Sequence, residues 1–163
     1  MKLNVLSSQT TQTPWYAQGL SFTCTQCGNC CTGPPGFVWI SEKEIIRLAE
    51  HLALTPEQVV ERYCRKIGGK FSLKESRNPR SGEYDCIFLH EQPSDPSAGV
   101  SHPRRTCQVY PVRPLQCRTW PFWPSNLKTP QTWAQAHRRC PGMDHGQHYD
   151  QQQIESIRDR QED

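Results

Sequence analysis

Apolar residues are thinly spread along this chain, and they recur at two spacings. Ile45, Ile46, Leu48, Ala49 and Leu52 mark one face of a helix. Before them, Ser41-Glu42-Lys43-Glu44 is a capping box, in which the serine accepts from an early amide while Glu44 reaches back. A second box, Thr55-Pro56-Glu57-Gln58, puts proline in the first turn of a second helix. Its apolar face of Val59, Val60, Tyr63, Cys64 and Ile67 predicts a helix running to Gly68-Gly69. Short apolar runs at 37–40, 71–73, 84–89 and 106–110 predict strands. A polar loop at about 91–105 makes the last two a β-hairpin carrying Cys86 and Cys107. Prolines confine any helix between Pro114 and Trp120 to one or two turns. Residues 77–83 read as a turn, and 125–136 carry no usable pattern. At 149–163, charges surround sparse Ile154 and Ile157, which predicts a solvated or docking helix.

Composition sharpens this outline. Hydrophobic residues, tyrosine included, make up only 34% of the 163 residues, against 14 prolines and 10 glycines. A chain of this length fits one domain, but so lean a core needs covalent or metal staples. Nine cysteines can supply them. The expected fold is therefore α+β: a small, loop-rich, metal-stapled single domain with a helical pair and a β-hairpin around a cysteine cluster. Residues 1–19 form a polar lead-in, 20–145 the metal-binding domain and 146–163 a C-terminal polar helix or tail.

Metal is favoured over disulfides. The start of the chain lacks the apolar core of a signal peptide, the cysteine count is odd, and disulfides need an oxidising compartment. A cytoplasmic location follows, and with no run near the ~18 apolar residues of a membrane span, no membrane association is expected. The formal charge of +3 does not point to nucleic acid. Eight deprotonated thiols subtract eight and two dications restore four, which would leave −1. There is also no run of five basic residues.

The chemistry centres on Cys24-Thr25-Gln26-Cys27-Gly28-Asn29-Cys30-Cys31, four thiols in eight residues. Thiolates are nucleophiles and soft ligands for zinc, Cu(I) or iron–sulfur clusters. Cys64 lies on an apolar helical face, where a buried, inert thiol is the ordinary outcome. That leaves eight, enough for two four-thiolate sites. Neighbouring Cys30 and Cys31 tend to diverge, so they serve different centres or one of them bridges. One workable partition joins Cys24, Cys27 and Cys30 to Cys140.

Downstream stand Cys86-Ile87-Phe88-Leu89, Cys107-Gln108-Val109-Tyr110, Pro111-Val112-Arg113-Pro114-Leu115-Gln116-Cys117-Arg118 and Cys140-Pro141-Gly142. Together with the C-x2-C-x2-C-C run they resemble the YkgJ, or CxxCxxCC, family of zinc- or iron-chelating domains over roughly residues 20–145. The resemblance implies eight metal ligands: Cys24, Cys27, Cys30, Cys31, Cys86, Cys107, Cys117 and Cys140. Some relatives carry the domain beside a protein-lysine methylase, which implies an iron–sulfur centre in those. The cofactor expected here is thus a 4Fe–4S cluster or Zn2+. The C-x2-C-x2-C run with a remote Cys-Pro partly matches a ferredoxin pattern. Zinc's apparent binding energy of about 10–16 kcal/mol would equally rescue a lean core.

Arg104, Arg105, Arg113 and Arg118 flank these cysteines and either offset thiolate charge or bond loop carbonyls. Trp120, Phe122 and Trp123 fit core packing better than a docking patch. The histidines His51, His90, His102, His137, His145 and His148 form no metal pair of the H-x3-H or HExxH type. The expected function is a cysteine-cluster protein acting in electron transfer, metal handling or docking to a protein partner. The alternative is a cluster-dependent enzyme, for protein methylation or redox chemistry, resembling the methylase-linked relatives.

Overall fold

In the computed structural model, described over residues 13–93, 97 and 104–160, both predicted capping boxes form. α1 (Glu42–Leu52) starts where the Ser41 side chain accepts from the Glu44 amide, and α2 (Pro56–Tyr63) where Thr55 accepts from Gln58. α2 ends four residues before the apolar spacing predicts. Gly68 and Gly69 have φ of 54° and 85°, the left-handed pair that a two-residue hairpin turn requires, so they make a hairpin rather than a helix stop. β4 (Cys64–Ile67) therefore pairs antiparallel with β5 (Lys70–Leu73), and Ile67 stands opposite Lys70. β3 (Trp39–Ile40) flanks the other side of β5. α1 and α2 pack on this sheet and bury Ile40, Ile45, Leu48, Ala49, Val59, Cys64 and Leu73, with Phe88 and Val109 completing the cluster. Full burial of each large apolar side chain contributes about 1.5–3 kcal/mol.

A second sheet, in the order β2 (Thr32–Gly33), β7 (Tyr84–Cys86), β6 (Glu75–Arg77), starts directly after the cysteine run and carries Cys86. The predicted 84–89 strand is in fact two. After Cys86 the chain turns: the Ile87 amide donates to the Lys74 carbonyl at 3.0 Å, and Phe88 buries its ring in the first cluster. β8 (Leu89–Gln92) then pairs with β9 (Arg104–Cys107), Leu89 facing Cys107. The hairpin exists, but Cys86 lies outside it on the neighbouring sheet. Most of the predicted polar loop falls outside the described residues.

The last third builds a second cluster. α3 (Leu115–Arg118) is the predicted short helix. The patternless 125–136 region holds α4 (Pro124–Leu127) and α5 (Pro130–His137), the latter started by a Thr129 cap with proline in its first turn. β10 (Met143–Tyr149) pairs with β1 (Leu20–Phe22), and α6 (Gln151–Arg158) follows. Tyr16, Phe22, Phe122, Leu127, Trp133, Met143 and Ile154 form its core. The C-terminal helix is docked rather than solvated, since Ile154 is fully buried.

Candidate metal centre

Two hydrophobic clusters in one small chain leave a seam between them, and the cysteines line it. Cys86 and Cys107 pack against the first cluster, Cys24 and Cys140 against the second. Left-handed Gln26 and Gly28 curl the cysteine run into the helical turn Asn29–Cys31. A side chain at Gly28 would begin 2.9 Å from the Leu89 methyl and 3.0 Å from Arg105 Cβ, so the loop comes this close only because that residue is glycine. Asn29 Nδ2 donates to the Arg139 carbonyl at 2.9 Å, and Arg139 Nη2 donates to the Thr32 carbonyl at 2.8 Å. These clamp the run against the segment bearing Cys140. Thr23 donates its amide to the Gly142 carbonyl, which ties that segment to the run's start.

Cys24, Cys27, Cys30, Cys31, Cys86, Cys107, Cys117 and Cys140 all line one cavity of about 50 Å³. Cys64 does not; it is buried in the first cluster. All nine thiols are free. Protein interiors rarely hold voids larger than a water, which needs about 10–15 Å³ on this measure, so the cavity has room for several atoms. The rest of its lining is largely apolar, including Phe22, Leu73, Phe88, Val109 and Trp120, with Arg113 as its cation. Among the described residues, no three Cys, His, Asp or Glu side chains are closed around one ion position.

The donors around the sulfurs favour thiolate. Cys86, Cys107 and Cys140 each accept the amide two residues on, from Phe88, Val109 and Gly142. Trp120 Nε1 donates to Cys140 Sγ at 3.3 Å and Arg113 Nη1 to Cys24 Sγ at 3.9 Å. Arg113 also stacks 3.8 Å over the Tyr110 ring, while its Nε is buried without a partner. A guanidinium with an orphaned donor beside eight thiols suits a negatively charged sulfur assembly.

The thiols also hold each other's protons on. The Cys30 and Cys31 sulfurs, 3.8 Å apart, share one hydrogen bond, which lowers Cys30 to about 7 and pushes Cys31 far up. Burial first, then the amide hydrogen bond and nearby thiolates, set Cys86 at about 11. Burial likewise raises Cys107, Cys117 and Cys140. So many thiolates cannot ionise together in an apolar seam unless a multivalent cation joins them. The residues present therefore fit a thiophilic metal. Cys117 feels Cys86, Cys30 and Cys107, Cys140 feels Cys27 and Cys30, and Cys31 feels Cys30, Cys86 and Cys107. Cys30, the exposed member, borders both groups.

Other expected roles sort differently. Arg118 donates to the Arg113 carbonyl at 3.0 Å and does not line the cavity. Arg105 stands 3.7 Å from Asp85. Phe122 is core, and Trp120 packs against the same cluster while its indole N–H donates to the Cys140 sulfur, a role its position three residues after Cys117 could have suggested. No described histidine lines the cavity; His137 instead pairs with Asp144 at 3.2 Å. Sequence reasoning missed Tyr110, which hydrogen-bonds Cys24.

Comparison with known proteins adds three findings. The chain is 30% identical over 108 residues to "Uncharacterized protein MJ0661" of Methanocaldococcus jannaschii, a match covering 66% of this chain and 48% of that protein. The chain thus spans about half the length of this curated relative. No solved structure matches. The model of the CxxCxxCC family, described as "Putative zinc- or iron-chelating domain", matches residues 23–141, and this chain belongs to that family.

Proposed function

We propose that this protein binds metal through the thiolates of Cys24, Cys27, Cys30, Cys31, Cys86, Cys107, Cys117 and Cys140, as an iron–sulfur centre held at the seam of its two cores. The observation that carries this reading is the meeting of all eight thiols at one cavity from five separate parts of the chain. Iron–sulfur is favoured over zinc by the C-x2-C-x2-C spacing, and by amide, indole and guanidinium donors on the sulfurs, which tune cluster potential. When bound, such a centre supplies one-electron transfer. The chain's own residues hold it, shield it with Phe22, Phe88 and Trp120, and leave Cys30 at the surface, where a protein partner could take or give an electron. Free thiols and a metal load suit the reducing cytoplasm.

A second reading, a cluster-dependent catalyst, is favoured by one feature. A cleft of about 230 Å³ walled by Phe37, Tyr84 and Trp123 reaches Cys30, Cys31 and Cys86 from outside. Anaerobic purification followed by iron, acid-labile sulfide and zinc analysis tests the main reading. Iron with matching sulfide supports it. Two zinc per chain without sulfide overturns the iron assignment, and a metal-free, fully folded chain overturns metal binding altogether.

A further inference from the structure

We propose that Glu44 is a positioning residue for the Cys117 thiol, working from the first turn of α1; this rests on Cys117 being a metal ligand. Glu44 is 3% exposed, and its two oxygens have separate tasks. Oε2 closes the α1 capping box by accepting from the Ser41 amide at 2.8 Å and the Ser41 hydroxyl at 3.1 Å. Oε1 accepts the Leu115 amide, 71 positions away in sequence. Arg47 Nη2 at 3.8 Å and Arg118 Nη2 at 3.9 Å stand on the same oxygen.

Leu115 is the first residue of α3, and α3 needs this outside hold. It is only four residues long and has no side-chain cap of its own, because Pro114 precedes it. A single turn is marginal by itself. Cys117 sits in the middle of it, its amide bonded to the Pro114 carbonyl at 2.9 Å, so a tilt of the turn carries the thiol with it. The next side chain, Gln116, supplies a second anchor: Oε1 accepts the Trp39 amide and Nε2 donates to the Phe37 carbonyl, both at 2.9 Å. α3 is thus pinned at its start by Glu44 and along its side by β3, which fixes Cys117 before any metal arrives.

Three variants separate this role from plain helix capping. Ser41→Ala breaks the capping box and leaves Oε1 on Leu115. In Glu44→Gln the two guanidiniums turn the amide oxygen toward Leu115, so the box weakens while α3 stays anchored. Glu44→Ala loses both. Two readouts apply. One is the rate at which a thiol alkylating reagent labels Cys117 in reduced, metal-free protein, mapped by peptide mass against Cys64. The other is Co2+ affinity with the intensity of the thiolate-to-cobalt charge-transfer band. All three variants should lower the unfolding midpoint. Only Glu44→Ala should speed Cys117 labelling relative to Cys64, weaken Co2+ binding about 10–100-fold and reduce the band. Unchanged Cys117 labelling in Glu44→Ala, or equal acceleration in Ser41→Ala, overturns the proposal. If wild type binds no cobalt, the metal reading fails while the labelling comparison still decides the role of Glu44.

Discussion

Cys64 and Cys86 lie on strands of different sheets and should respond oppositely to the same chemical change. Cys64 is 5% exposed, opposite Leu73 in the first cluster. Cys64→Ser swaps a weakly polar sulfur for a hydroxyl with no partner at hand, at a cost of about 1–3 kcal/mol. In a chain of this size 1 kcal/mol shifts Tm by about 2–4 °C, so the loss is several degrees and metal content stays whole. Cys86→Ser is as small a change, and the Phe88 amide remains to meet the new oxygen. Judged by packing alone, it should cost no more than the Cys64 change. If Cys86 is a ligand, the substitution breaks a centre that, on the scale of a structural zinc, is worth about 10–16 kcal/mol, comparable with the whole stability of a domain, about 5–15 kcal/mol. The assay is thermal unfolding with and without chelator, with metal per chain measured alongside. Wild type and Cys64→Ser should both bind metal and lose much of their Tm to chelator. Cys86→Ser should be metal-poor, low-melting and indifferent to chelator. Similar small shifts in both variants, with metal retained in both, would refute the sorting of the nine cysteines.

Other outcomes follow from the same geometry. Gly28→Ala should cost about 1–2 kcal/mol for its left-handed backbone, plus the contacts with Leu89 and Arg105, and should lower metal content. Gly68→Ala, also left-handed but with open space around it, should keep its metal; the comparison is made by denaturant unfolding and metal analysis. Ile154→Ala should destabilise by about 2–5 kcal/mol in the same unfolding assay, because α6 is docked; a change near zero would mean a solvated helix. pH offers a further check. With Cys86 raised from 9 to about 11 in the fold, the metal-free protein holds its proton more tightly folded than unfolded. That stability is fully present below pH 9 and is lost as pH climbs toward 11. Thermal melts should show this fall for metal-free protein and not for loaded protein, whereas acid should release metal by protonating the ligands.

What could be read from the sequence was whatever is decided locally. Ser41, Thr55 and their acidic or amide partners specify helix starts within four residues, and both starts form. The eight cysteines stood out because thiol chemistry at that spacing has few uses, and the fold brings all eight to one cavity. Three things were decided by distant partners instead. Gly68-Gly69 ends a helix or turns a hairpin with equal ease, and β5 settled the matter by pairing with β4. The 84–89 run is continuously apolar enough to suggest one strand, but Lys74 takes the Ile87 amide and the first core takes Phe88, which splits it. β10 is mostly exposed, so it has no apolar alternation to detect, and it forms because β1 offers it an edge. α5 is different: Thr129-Pro130 was a readable start signal. Glu44 was read correctly as a cap, yet its second oxygen serves a helix 71 residues on, which no local pattern encodes.

X-ray absorption at the metal edge of anaerobically purified protein tests the central claim most directly. An all-sulfur first shell is expected, at about 2.3 Å if the metal is zinc. A first shell of nitrogen or oxygen, or an edge with no bound metal in folded protein, would contradict it.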